Sequence, residues 1–375
     1  MRFRCRSTSL LGPRRRSMIP AQTQRSRLLR PPRPVRGAGR QAANDTDAPQ
    51  ATRPVLSVVV PTCGRLQLLD RCLRALAGQR LDTRRFEIIV VDDRPDAETE
   101  RLVRDWATRA HPLAVRYIAS NGPHGPGAAR NRGWRAARGE IVAFTDDDTE
   151  PDAHWLQNGW RAMKGSVDAV CGRIVMPIPA RPGDYERDAS GLERSELVTA
   201  NCFCRRRTLE GLGGFDERFR LAWRADSDLH FRLLQAGARI ARANDALVVH
   251  PARAAPWGAS LLQQKKIVFD ALLCKKHPQL YRERIGATPR WDYYVIVAAL
   301  AAAGAGLASS VAWLSIPAAT AWTVLTGRFC LARLRGASKS PSHLAEMVFT
   351  SIAIPPVALF WRAVGALRWR TAARG

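Results

Sequence analysis

No two cysteines in this chain are spaced as C-x-x-C, no continuous apolar stretch marks a secretory signal in residues 1–54, and acidic residues number 33 against 59 lysines and arginines. The first absence removes the usual zinc and redox motifs. Eight cysteines are scattered, and the only close pair, Cys202 and Cys204, reads as small apolar residues on one strand face in a reducing compartment. The second leaves residues 1–54 as a basic arm rich in Arg and Pro, with the composition of a disordered segment. Such an arm can touch anionic lipid or nucleic acid, or lie upstream of a later start such as Met18. The third gives a net charge of +26 and a pI near 11.2, which by itself points to nucleic acid or anionic lipid, and the placement of the charge decides between them. With 375 residues, 46% of them hydrophobic, there is enough chain for a large core plus accessory segments.

Charge is also missing, completely, from residues 293–326. The run exceeds the ~20 residues of one membrane-spanning helix and falls just short of two. Ser309 and Ser310 lie near its middle, and Arg282, Arg284 and Arg290 before it mirror Arg328, Arg333, Arg335 and Lys339 after it. The positive-inside rule then predicts a tight two-helix hairpin with both ends cytoplasmic. Residues 261–277 have helical apolar spacing beside four lysines and are expected to lie at a membrane surface. Residues 347–361, interrupted by Pro355 and Pro356, read as an interfacial or re-entrant helix. Basic clusters beside membrane segments attract anionic lipid, so nucleic acid is not needed to account for the charge.

Between these regions apolar strands alternate with helical spacing. LSVVV ends at Pro61-Thr62, a helix follows over residues 65–76, and residues 86–91 form a second strand ended by Asp92-Asp93. Near-continuous apolar strands in a β-α-β order predict a mostly parallel sheet covered on both faces. A Gly-rich turn, NGPHGPGAARNRGW, opens the helix before the segment that organises the chain, IVAFTDDDTEPD at residues 141–152. There a short buried strand stops at Asp146, Asp147 and Asp148. Carboxylates at a strand's carboxyl end fit a hard divalent cation bridging to substrate phosphates, or equally an acidic turn capping the next helix. Residues 177–192, rich in Pro, Gly and charge, read as a mobile loop, residues 198–205 as a strand, Asp226 to Gln235 as a helix, and residues 246–249 as a last strand ending at His250.

Acidic groups at several strand ends with a Gly-rich turn between them describe a nucleoside-diphosphate site. SVVVPTCGR, IIVVDDRPD, GPGAARNRGW, IVAFTDDDTEPD, NCFCRRRTLEGLGGFDERF and RADSDLHFRL resemble, in order and spacing, the motifs of family 2 glycosyltransferases of the GT-A fold, over residues 55–255. The resemblance implies an α/β, Rossmann-like, mixed and mostly parallel sheet. It also implies inverting transfer of a sugar from a nucleoside-diphosphate donor with Mg²⁺ or Mn²⁺. By the same resemblance Pro61, Thr62 and Asp93 border the nucleoside base, Arg130 and Asn131 the nucleotide, and Asp146 the ribose. Asp148 and His250 hold the metal, and Asp226 is the general base, with Asp228 in reserve.

Two positions depart from the family pattern: Ala225 stands where Glu is usual beside the base, and Cys63-Gly64 where Tyr-Asn is common. The QQKK at residues 263–266 lacks the Trp of the processive synthases' Q-x-x-R-W motif, so transfer of single sugars is expected. The domain expectation is therefore a basic arm (1–54), a catalytic domain (55–255), amphipathic juxtamembrane helices (256–292), a transmembrane hairpin (293–327) and a basic loop with an interfacial helix (328–375). The expected activity is transfer to a lipid-linked or membrane-proximal hydroxyl on the cytoplasmic side of the cell membrane. The alternative is a membrane protein that binds nucleotide sugar or lipid without efficient catalysis.

Overall fold

The computed structural model describes residues 53–370 except 254 and 287–289; nearly all of the basic arm lies outside the described residues. Eight strands form one sheet: β1 (Leu56–Thr62), β2 (Phe86–Asp92), β3 (Ala114–Ala119), β4 (Ile141–Phe144), β5 (Glu150–Pro151), β6 (Ala169–Val175), β7 (Cys202–Arg205) and β8 (Ile240–Val249). Their order is β3-β2-β1-β4-β7-β6-β8-β5. β1 pairs in parallel with both β2 and β4, and β7 enters antiparallel between β4 and β6. The chain thus builds one half of the sheet outward from β1 and then returns to the other side of β1 with β4. That reversal opens a crevice at the carboxyl ends of β1 and β4, where ligands of open α/β sheets bind.

The helices surround this sheet in chain order: α1 (Leu66–Ala77), α2 (Ala97–Arg109), α3 (Pro126–Arg135), α4 (Trp155–Ala162), α5 (Asp184–Ala189), α6 (Arg206–Leu212) and α7 (Ala225–Gln235). Every residue of β1 and β2 is buried, as strands covered on both faces require. Alternation divides them: Val58, Val60, Ile88 and Val90 pack beneath α1 and α2, while Val59, Ile89 and Val91 face α3 and the buried residues of α7. α3 lies close on this second face because Gly133 has no side chain; a Cβ there would stand 2.3 Å from Val59 Cγ1. Its close seat aims Arg130, one turn earlier, at the crevice.

After β8 come α8 (Ala259–Leu262), α9 (Val268–Lys276), α10 (Pro278–Arg284), α11 (Trp291–Ala308), α12 (Ala312–Leu334) and α13 (Pro341–Arg368). α11 and α12 pack on one another across a turn at residues 309–311. α11 and α13 are long and apolar enough to cross a membrane, and Trp313, Ile316, Leu331, Phe360 and Leu367 point outward from this group of helices.

Three segments differ from the sequence expectation. Residues 177–192, expected as a loop, contain α5, and its Asp184 accepts from Arg333 at 2.7 Å. Residues 261–277 do not form a single helix at a surface: Phe269, Leu272 and Leu273 of α9 are buried against Phe219 and Phe231, so the partner of these apolar residues is protein. Residues 347–361 belong to one unbroken 28-residue helix, α13, with Pro355 and Pro356 inside it. Proline removes a donor and crowds the preceding turn, yet neighbouring polar groups can take up the freed carbonyls in an apolar helix.

Candidate active site

The crevice is built first by Asp147. Its side chain is buried at the end of β4, accepts from Thr62 Oγ1 at 2.7 Å and pairs with Arg65 at 2.9 Å, fastening the ends of β1 and β4 together. Burial pushes its carboxyl up to about 6, against the opposing Arg65 charge and the Thr62 bond. Thr62, expected at the nucleoside base, therefore spends its hydroxyl on Asp147, and Pro61 is buried within β1.

Asp146, Asp148 and His250 each offer a ligand atom, and these atoms lie within 4.8 Å of one another. The turn after β4 supplies the carboxylates and the end of β8 supplies the imidazole, whose Nε2 is 3.8 Å from Asp148 Oδ1. Asp148 is buried, and Arg253 Nε approaches Oδ2 at 2.5 Å, yet neither oxygen has a hydrogen-bond partner of proper geometry among the described residues; His250 Nδ1 is also unpaired. Buried acceptors of this kind are costly unless matched. Two carboxylates with an imidazole suit a divalent cation of the Mn²⁺ or Mg²⁺ class, so the residues present fit a metal. The trio also widens the expected pair of ligands, since Asp146 joins it.

On the other side of Asp146 stands Arg130, buried on α3, with Nη2 2.5 Å from Asp146 Oδ1. Burial opposes the Asp146 charge, but Arg130, His250 and Arg65 together outweigh it and hold the carboxyl below the usual range. Arg130 also lies near Asp226, in the first turn of α7, whose Oδ1 accepts from Thr199 at 2.7 Å. Burial raises the Asp226 carboxyl, partly offset by Arg130 and the Thr199 bond and reinforced by Asp146. Asp226, Asp146 and Arg130 are thus neighbours, and Asp146 also belongs to the trio with Asp148 and His250.

Asp93 bounds the crevice beyond the end of β2. Both of its oxygens accept from Gly125 N–H, at 2.9 and 3.0 Å, which pins the Gly-rich turn to the sheet. Gly125 has φ 122°, a backbone conformation that disfavours side chains, and a Cβ there would meet Arg220 O at 2.8 Å.

Two expected site residues turn away from the crevice. Asn131 is buried, donates to Phe215 O and Glu217 Oε1 at 2.9 and 2.8 Å, and accepts from Phe215 N and Trp134 Nε1 at 2.8 and 2.9 Å. An amide side chain offers two donors and two acceptor lone pairs, so none is left for a nucleotide; Asn131 clasps α3 to the turn before α7. Asn131→Ala is expected to lower stability by about 3 kcal/mol, because it strands buried donors, in a denaturant titration of the folded chain. Unchanged stability with weakened donor binding would restore the nucleotide contact. Asp228 is fully buried, pairing with Arg232 at 2.9 Å, Lys276 at 2.5 Å and His277 at 3.0 Å. Two positions along a helix from Asp226, it faces about 200° away and is no substitute base.

Arg65, Thr199 and Arg253 complete the crevice without having been singled out from sequence, and Asp147, named there only as part of the acidic run, completes it too. Arg65 lies in the SVVVPTCGR segment and Asp147 in the acidic run, so both carried a signal. Thr199 and Arg253 carried none.

A carboxylate crevice at the switch point of a mixed, mostly parallel sheet, with a trio at its edge that could hold a cation, is an arrangement of GT-A type. Residues 57–215 match the sequence model of Glycosyl transferase family 2. Over those residues the chain is similar to family 2 glycosyltransferases, and it is an enzyme of the glycosyltransferase class. Glycosyltransferase AglE of Haloferax volcanii is 28% identical over 229 residues, 58% of this chain and 73% of that protein. The GalNAc(5)-diNAcBac-PP-undecaprenol beta-1,3-glucosyltransferase of Campylobacter jejuni is 35% identical over 152 residues, 40% of this chain and 47% of that one. The solved mannosyltransferase PcManGT from Pyrobaculum calidifontis, in complex with GDP-Man and Mn²⁺, superposes with a TM-score of 0.48 at 23% identity, over 87% of this chain and 90% of that chain.

Proposed function

We propose that the enzyme transfers a single sugar, with inversion, from a nucleoside-diphosphate sugar to a hydroxyl of a lipid-linked acceptor at the cytoplasmic face of a membrane. The observation that supports the reaction is the neighbourhood of two sets of groups: the trio of Asp146, Asp148 and His250, and Asp226, with Arg130 beside both Asp146 and Asp226. Asp226 takes the proton of the acceptor hydroxyl as its oxygen bonds to the anomeric carbon; the bond from that carbon to the diphosphate oxygen breaks, and its electron pair leaves with the diphosphate. A carboxyl raised by burial and steadied by Thr199 suits a base that must hold this proton transiently. Asp146, Asp148 and His250 would hold Mg²⁺ or Mn²⁺, which when bound neutralises charge on the leaving diphosphate. Arg130, a planar donor beside the carboxylates, orients phosphate oxygens, and Asp93 with the pinned Gly-rich turn borders the base of the nucleotide.

The acceptor class rests on α11 and α13, which are long and apolar enough to cross a membrane, and on the undecaprenol-linked acceptor in the Campylobacter relative's name. Basic residues flank both ends of residues 293–326, which supports a cytoplasmic site. A thermal-shift screen of nucleoside-diphosphate sugars, with and without Mn²⁺, tests the reading. At 100-fold excess over Kd a bound donor adds about 2.7 kcal/mol, hence a rise of roughly 5–10 °C in Tm at about 2–4 °C per kcal/mol, only with the metal. No response from any donor in either condition would overturn it.

A further inference from the structure

Asp226 occupies the start of a helix whose entry is backbone-strained: Arg224, the residue before α7, has φ 66°, rare for a residue with a side chain. α9 holds it there. Asp270 accepts from Arg224 Nε at 2.6 Å and from Trp223 Nε1 at 3.0 Å, and the Arg224 guanidinium stacks 4.6 Å over the Trp223 ring. One turn further along α7, the buried Asp228 is gripped by Lys276 and His277 from the end of α9, and Lys276 also reaches Asp216 at 2.5 Å. Between the two polar grips, Phe269, Leu272 and Leu273 pack against Phe219, Ala225 and Phe231. Asp226 therefore sits between two fixed points supplied by one helix.

That helix is in turn seated on α13. Gly365 of α13 lies so close to α9 that a Cβ there would stand 3.0 Å from Val268 Cα and 3.1 Å from Val268 O. Beyond it, Trp369 Nε1 donates to Val268 O at 3.0 Å, and Lys275 Nζ donates to Trp369 O. α13 is one of the two helices apolar enough to cross a membrane.

We propose that α9 is a positioning element for the base, with Asp270, Lys276 and His277 fixing the first turns of α7 and α13 fixing α9, so that seating of the C-terminal apolar helix sets the geometry of Asp226. The catalytic part of this rests on Asp226 acting as the base; the mechanical part does not. Strain at a residue beside a reacting group persists only where surrounding contacts over-determine it, and Asp270 supplies those contacts. A reacting group misplaced by about 1 Å costs on the order of 100-fold in rate.

The full chain in detergent or lipid nanodiscs is compared with Asp270→Ala, Asp270→Asn, Gly365→Val and, as a control in an apolar helix, Gly304→Val, where an added Cβ meets nothing within 4 Å. Amide hydrogen exchange over residues 223–230 is expected to lose protection in Asp270→Ala and Gly365→Val but not in Gly304→Val, and this arm needs no donor. With the donor found by thermal shift, kcat is expected to fall on the order of 10- to 100-fold in the same two variants, with donor KM unchanged, and Asp270→Asn, which keeps an acceptor oxygen, to recover part of it. Wild-type exchange and kcat in folded Gly365→Val and Asp270→Ala would overturn the proposal. An Asp226→Asn enzyme of full activity would instead remove the base assignment, leaving the exchange result to judge the mechanical link.

Discussion

Asp148→Ala is expected to lower metal-dependent donor turnover by on the order of 1,000-fold while the chain stays folded. Asp148 is buried, as is His250, and its two oxygens lack hydrogen bonds of proper geometry among the described residues, so the fold is not expected to depend on it. Its removal leaves Arg65 paired with Asp147 at 2.9 Å, and the seam between β1 and β4 survives through Thr62. On the proposed reading, what would be lost is a charged ligand for a cation whose work at a leaving diphosphate would be worth several kcal/mol, and each ~1.4 kcal/mol is a factor of ten in rate. Release of nucleoside diphosphate in Mn²⁺, with chelator as the parallel condition, measures it. The variant and the chelated wild type should be about equally slow; a variant that still responds to Mn²⁺ like the wild type would place the cation elsewhere.

Asp226→Asn is the second large effect. The amide keeps the bond from Thr199 and nearly the same volume but cannot accept a proton, so kcat should fall on the order of 10²- to 10⁴-fold with donor KM little changed. The wild-type pH profile carries a matching signature. Burial lifts the Asp226 carboxyl, so the acid limb of kcat, where the base is protonated and inactive, should lie above the ~4 of an ordinary carboxylate and vanish in the variant. An acid limb retained in Asp226→Asn would assign the proton to another group.

The strands of this fold were legible because LSVVV and FEIIVV are apolar without interruption and stop at turn residues, which leaves a covered parallel sheet as the arrangement that buries them. The acidic run after IVAF was legible for the same reason: a strand that ends in charge must end at a crevice or in solvent. Neighbouring positions on a helix were not. Arg130 and Asn131 are adjacent in one motif, yet about 100° apart around α3, and only one can face Asp146 while the other faces Phe215. Which does so depends on where the turn at Phe215 lies, a contact 84 residues distant. Asp228 failed as a reserve base for a similar reason, its partners Lys276 and His277 being supplied by a helix whose apolar pattern looked suited to lipid. An amphipathic pattern gives the face that is buried but not what buries it. Ala225, which stands where the resembling family's pattern has Glu, is buried among the aromatics that pack α7 on α9 and so forms part of the seat of the helix that carries Asp226.

The most direct measurement is anomalous diffraction at the manganese edge from crystals of the full chain grown with Mn²⁺ and a nucleoside diphosphate. The account predicts one strong peak within coordinating distance of Asp148 and His250, with the diphosphate on its open side and Asp226 across the crevice. A peak remote from those residues, or a diphosphate bound where Asp226 cannot face the sugar, would contradict it.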